Sequence, residues 1–167
     1  DIGLRSARVW ARPGTVCEVT LEVATDVDFR RVIARTTLTS VAEHDFTVQS
    51  RVAGLKPGTR YFYRFQLGDD RSDVGQFRTV SPRTSKTPVR FAFSGDLQAT
   101  PDPATGKPYF NDFEALDAMT AERNTFNILL GDTIYSDTQV GGEVDGVELK
   151  SPWTATTVQE KWSVYRQ

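Results

Sequence analysis

Val89-Arg90-Phe91-Ala92-Phe93-Ser94-Gly95-Asp96 is a short apolar run closed by a turn, and Phe126-Asn127-Ile128-Leu129-Leu130-Gly131-Asp132 repeats the form. Each run is short enough for a buried strand, and each ends on a glycine and an aspartate. Between them lies Asn111-Asp112-Phe113-Glu114, which has the form of a helix start: Asn111 can cap, and Glu114 stands three residues on. Phe113, Leu116 and Met119 share one helical face, and the helix is expected to end near Arg123-Asn124. Strand, helix, strand makes a βαβ unit, which places its two strands parallel and, as neighbours, about 4.8 Å apart. Asp96 and Asp132 then meet at the carboxyl edge of the sheet, where open α/β folds bind their ligands.

Upstream the pattern changes to short β-type runs, with alternation of apolar and polar residues at 7–12 and 16–23. The runs 7–12, 16–23, 30–38, 46–52, 61–66 and 75–79 read as strands separated by turn signals such as Pro13-Gly14 and Pro57-Gly58. Their spacing predicts a β-sandwich over residues 1–80. Leu55-Lys56-Pro57-Gly58-Thr59-Arg60-Tyr61 resembles the fibronectin type III corner, in which the tyrosine hydroxyl bonds back to nearby backbone. The polar stretch with Pro82 and Pro88 makes 81–88 a linker, and 89–167 the start of an α/β domain. The fold class is therefore a fibronectin-like β-sandwich followed by the first βαβ part of an α/β domain.

The 167 residues carry 20 Lys plus Arg against 22 Asp plus Glu, which disfavours a strongly basic nucleic-acid binder. No apolar run approaches the ~18 residues of a membrane span. The one cysteine, Cys17, excludes an internal disulfide and is expected as a small buried hydrophobe. The one histidine, His44, is expected in a surface loop, so any metal chemistry within this chain depends on oxygen donors.

Two neighbouring carboxylates repel unless they share a proton or hold a cation. A metal held by Asp96 and Asp132 is one reading; two solvated turn residues is the other. Tyr135, shortly after the second strand, is either a hard phenolate ligand or a packing aromatic. Gln98 and Asp137 lie near the presumed site but read better as solvated loop residues, and Asn111 and Asp112 can also reach its rim, although capping already explains Asn111. The acidic, glycine-rich stretch 141–148 lacks the oxygen spacing of an EF-hand and reads as a solvated hairpin or loop.

Arg90 through Asp96, with Gly131-Asp132-Thr133-Ile134-Tyr135 after the helix, resembles the alkaline phosphatase D (PhoD-like) family of metallophosphoesterases. The resemblance covers nearly the whole chain and implies an N-terminal fibronectin-like domain. It implies that Asp96 and Tyr135 hold a ferric ion, and that Asp132 bridges it to a second, divalent metal (Ca2+, Zn2+ or Mn2+). Many members carry cysteine where Asp96 stands. The implied reaction is metal-assisted hydrolysis of a phosphoester, in which a metal-activated water attacks phosphorus. Phosphodiesterase, phospholipase D-type and alkaline phosphatase activities all fall within it, and phospholipid is one candidate substrate. The resemblance also implies a secreted enzyme; the start at Asp1 shows no signal segment, as in a cytosolic protein or a processed exported one.

Asp96, Asp132 and Tyr135 are too few ligands for two metals, and residues 136–167 hold no histidine. Thr157 to Gln167 has an amphipathic helix pattern, with apolar residues at 158, 162 and 165. The chain is thus expected to be the N-terminal part of a larger enzyme, with the C-terminal remainder present as a second chain. The alternative is a fibronectin-like binding module with a non-catalytic α/β appendage.

Overall fold

The computed structural model describes residues 1–97, 105–108, 112–133, 135, 142–144, 147–149, 155 and 157–165. The chain divides into two compact units, Asp1–Thr87 and Pro88–Gln167.

In the first unit β1 (Ser6–Ala11) pairs antiparallel with β4 (Val48–Ala53). A second antiparallel sheet is built from β2 (Glu18–Ala24), β3 (Val32–Thr39), β5 (Arg60–Leu67), β6 (Asp70–Arg71) and β7 (Gly75–Arg78). Its order is β3-β2-β5-β6, with β7 also paired to β5. Alternation decides which side of each strand is covered. Ala7 and Val9 of β1 and Val48 and Val52 of β4 form one buried cluster with Val19, Leu21, Val23, Tyr61, Phe65 and Phe77 of the larger sheet. Two sheets that share one core are compatible with a β-sandwich. Cys17, just before β2, is half-buried rather than fully enclosed; it packs against the edge of the core, its amide donates to the Ser40 hydroxyl at 3.1 Å and its thiol lies 3.5 Å from the same oxygen. His44 is exposed, at the end of a single 3-10 turn, Ala42–His44.

Three local devices fix this unit. At the corner before β5, the Lys56 amide donates to the Tyr61 hydroxyl at 2.9 Å, and the Thr79 hydroxyl donates to the Lys56 carbonyl at 2.6 Å. On the outer face of the larger sheet, Glu22 is only 3 % exposed and lies between two guanidiniums. Arg64 donates to it at 2.8 Å and Arg35 binds its other oxygen, while the Arg64 guanidinium also covers the Phe29 ring, 4.1 Å from its centroid. Where β5 meets β7, Gly75 lies under the Tyr63 ring so closely that an added Cβ would come within 2.3 Å of it.

In the second unit β8 (Phe91–Ser94) and β9 (Phe126–Leu129) pair parallel, with the helix α1 (Glu114–Ala121) between them in sequence. The register sets Phe91 against Phe126 and Ser94 against Leu129, and the two phenylalanine rings stack at 5.4 Å. Alternation puts Phe91, Phe93, Phe126 and Ile128 on one side, and all four are exposed. The helix starts later than the capping pattern suggested: Phe113 is its N-cap, in a left-handed conformation, and Glu114 turns back to accept from the Asp112 amide at 2.8 Å. The expected cap, Asn111, lies outside the described residues. β10 (Gly142–Val144) and β11 (Val147–Leu149) form an antiparallel hairpin. The helix α2 (Val158–Tyr165) opens on a reciprocal capping box: Thr157 accepts from the Glu160 amide at 3.2 Å, and Glu160 accepts from the Thr157 amide at 2.9 Å.

Two outcomes follow from the first unit. Tyr61→Phe leaves the part-buried Lys56 amide without its acceptor and is expected to lower stability by about 1 kcal/mol in denaturant unfolding. For Glu22, burial pushes the carboxyl up, but the bonds and charges of Arg35 and Arg64 outweigh burial and hold it below its ordinary 4.5. A carboxylate depressed in the folded state stabilises above the unfolded value and loses that contribution as pH falls. Unfolding midpoints of the native chain are therefore expected to drop as pH falls below 4.5, and Glu22→Gln to remove that component of the slope.

Candidate active site

The two parallel strands end at the same level, and each runs into a turn that carries an aspartate. Beyond β9 the chain bends at Gly131, whose φ of 120° is open to glycine but not to residues with a Cβ. Asp96 and Asp132 both adopt left-handed φ, 53° and 46°. Such conformations are uncommon outside glycine, and aspartate is among the residues that tolerate them. The ends are stitched together by backbone bonds: the Leu130 amide donates to the Ser94 carbonyl at 2.8 Å, and the Leu97 amide to the Asp132 carbonyl at 2.8 Å. These bonds hold the two turns at one height and fix where each carboxylate begins.

Tyr135 closes the arrangement. Its hydroxyl bonds Asp96 Oδ1 and lies 3.1 Å from Asp132 Oδ2, so one phenolic proton faces two carboxylates. Both aspartates are exposed and Tyr135 is half-buried, so the three oxygens meet at an open surface. The hydrogen bond to Asp96, then desolvation, then the bond to Asp132 and the two negative charges push the phenol well above its usual value near 10. The physical sense is plain: ionising Tyr135 would put a third negative charge beside two others.

Asp96, Asp132 and Tyr135, which the sequence singles out, are therefore brought together. Asp112 is exposed, beside the start of α1. Gln98 and Asp137 lie outside the described residues. Among the described residues no group of three or more His, Cys, Asp or Glu side chains gathers elsewhere. The donor set is thus two carboxylates and one phenol, all hard oxygens, which suits a hard cation and not a soft one.

Residues 1–81 match the family model of the PhoD-like phosphatase N-terminal domain. Alkaline phosphatase D of Bacillus subtilis (strain 168) is 28% identical over 124 residues, covering 74% of this chain and 20% of that protein. A solved structure of PhoD superposes with a TM-score of 0.68 at 25% identity, over 83% of this chain and 27% of that one. Both spans exceed the first unit, so the likeness runs on into the second. Residues 1–81 are thus similar to a PhoD-like N-terminal domain, and the proteins this chain resembles are described as phosphatases. The chain spans about a fifth of the curated relative and about a quarter of the solved chain.

In the ion-free chain, ultraviolet titration of the tyrosines is expected to show one phenol that ionises above the rest. Tyr135→Phe should remove that component, and Asp96→Asn should bring it down towards 10.

Proposed function

We propose that this chain is the N-terminal part of a metal-dependent phosphoester hydrolase. The observation that carries the reading is the convergence of Asp96, Asp132 and Tyr135 on one point at the carboxyl ends of β8 and β9. The likeness to alkaline phosphatase D supplies the reaction class.

In this reading Asp96, Asp132 and Tyr135 would hold the metals, with Asp96 and Tyr135 serving one ion, ferric by preference, and Asp132 serving it together with a second, divalent ion of calcium, zinc or manganese type. When bound, the ions supply Lewis acidity towards phosphoryl oxygens and lower the pKa of water. The chain's own contribution is placement and charge. The left-handed turns at Asp96 and Asp132 bring both carboxylates to the Tyr135 hydroxyl. The Tyr135 proton occupies the place between them while the site is free of metal, and it must leave for the phenol oxygen to act as an anionic donor. A trivalent cation favours that loss more strongly than a divalent one.

The set is incomplete for two ions, so further ligands belong to the remainder of the enzyme, which we read as a second polypeptide segment. The exposed apolar side of β8 and β9 supports this. Phe93 is 65 % exposed and Phe126 47 %, and a parallel pair is ordinarily covered by further α/β elements. The first unit we read as fibronectin type III-like, on the strength of the Lys56–Tyr61 corner. Phosphodiesters, including phospholipids, and phosphomonoesters are the substrate class. Export from the cell belongs to the same reading and rests on the family resemblance. Among the described residues no helix is long and apolar enough to cross a membrane.

The test uses the complete enzyme. An iron-loaded preparation is expected to show a visible tyrosine-to-iron absorption that Tyr135→Phe abolishes. Asp132→Asn is expected to reduce hydrolysis of a bis-aryl phosphate to background. A colourless enzyme with full activity would exclude iron at Tyr135, and undiminished turnover in Asp132→Asn would remove Asp132 from the site.

A further inference from the structure

The outer side of the β1–β4 sheet carries a charge arrangement that the fold does not require. Register places Arg8 directly opposite Arg51, Trp10 opposite Gln49 and Ser6 opposite Ala53, all on the side away from the core. Like charges directly opposite each other on a sheet are destabilising. Elsewhere in the first unit Arg12, Arg30, Arg35 and Arg64 each meet a carboxylate, while a second facing pair, Arg60 opposite Arg78, lacks one among the described residues and has the Arg78 guanidinium donating to the Gly58 carbonyl at 3.0 Å. Among the described residues no carboxylate meets Arg8 or Arg51, and the Arg51 guanidinium reaches only the Ser6 hydroxyl, at 3.3 Å. Beside them Trp10 is 65 % exposed. The chain as a whole is acidic, with net charge −2, so this positive strip is local.

We propose that this strip binds a linear phosphodiester polymer, with Arg8 and Arg51 taking phosphate oxygens and the Trp10 indole stacking on a sugar ring beside them. Guanidinium forks match phosphate geometry, and an anionic chain turns the repulsion between the two arginines into attraction. The dimensions favour a chain over a globular partner. Six residues of strand on two strands give a strip of roughly 20 by 10 Å, far below the ~800 Å² a stable protein interface covers on each side. The neighbours of Trp10 on this side are polar or small, which does not suit insertion into a lipid surface. The choice of phosphate over carboxylate rests on the phosphoester reading above.

The experiment measures binding of the whole chain, with chelator present, to a fluorescent abasic deoxyribose-phosphate oligomer. Polygalacturonate and phosphatidylserine vesicles serve as competitors. The expected result is salt-dependent binding to the oligomer that weakens about tenfold when Arg8 and Arg51 are both changed to threonine. The slope of log affinity against log salt should fall by about 1.4, two phosphate contacts on a single strand. Trp10→Ala should weaken binding about fivefold and leave that slope unchanged. The double threonine variant should also unfold at a higher temperature than the native chain, since the facing charges are gone. Equal affinity in the double variant would overturn the proposal. So would tighter binding to the vesicles, or polygalacturonate competing as well as the oligomer. Because binding is read without turnover, it separates from the catalytic reading: oligomer binding through Arg8 and Arg51 alongside a hydrolytically inert complete enzyme would remove the hydrolase and leave the strip.

Discussion

The in-register parallel pairing of Phe91–Ser94 with Phe126–Leu129 is the constraint on which the candidate site depends. Parallel strands cannot be joined by a tight turn, so a crossover segment must separate them, and both carboxyl ends finish on the same side. Two aspartates, each placed just past a strand, are thereby forced into proximity whatever their charges prefer. The backbone bonds from Leu130 to Ser94 and from Leu97 to Asp132 extend the pairing past the strands themselves. What results is a pair of carboxylates that both accept from the Tyr135 hydroxyl.

The two units hold themselves together by different means. The first has a closed core, with Leu21, Val23 and Leu55 almost wholly enclosed, and it seals its outer side with the Glu22–Arg64–Phe29 stack. The second has few enclosed side chains among its described residues, chiefly Leu97, Met119 and Ala155, and it leaves its largest apolar groups open. Exposed apolar residues on a parallel strand pair are ordinarily covered by further α/β elements.

Much of this was legible from residue order alone. Alternation marks the strands of the first unit because one side of each faces the core, as at Ala7, Val9, Val48 and Val52. The paired Gly-Asp endings mark where Asp96 and Asp132 lie, because strand ends in a βαβ unit share an edge. The start of α1 was less legible: Asn111-Asp112-Phe113-Glu114 offers two competing frames, and the helix takes the later one, with the Glu114 carboxylate satisfying Asp112. The capping box of α2 is written in the sequence as Thr157 followed three residues on by Glu160, beside the apolar periodicity that marks the same helix. The Glu22 cluster could not be read at all. Its partners come from neighbouring strands and from a loop residue, Phe29, in a left-handed conformation that no local pattern announces.

The contact between Gly75 and Tyr63 has a consequence for how sequences of this kind can drift. The ring occupies the volume that any side chain at position 75 would need, and the cross-strand register holds the two residues opposite each other. Position 75 is therefore free to vary only after position 63 has become small, whereas position 63 can shrink at the cost of a gap. The order of change is one-way. Tyr63 also packs edge-on against Phe65 and near Phe77, so that first step would loosen two further aromatic rings before any new side chain could fill the space.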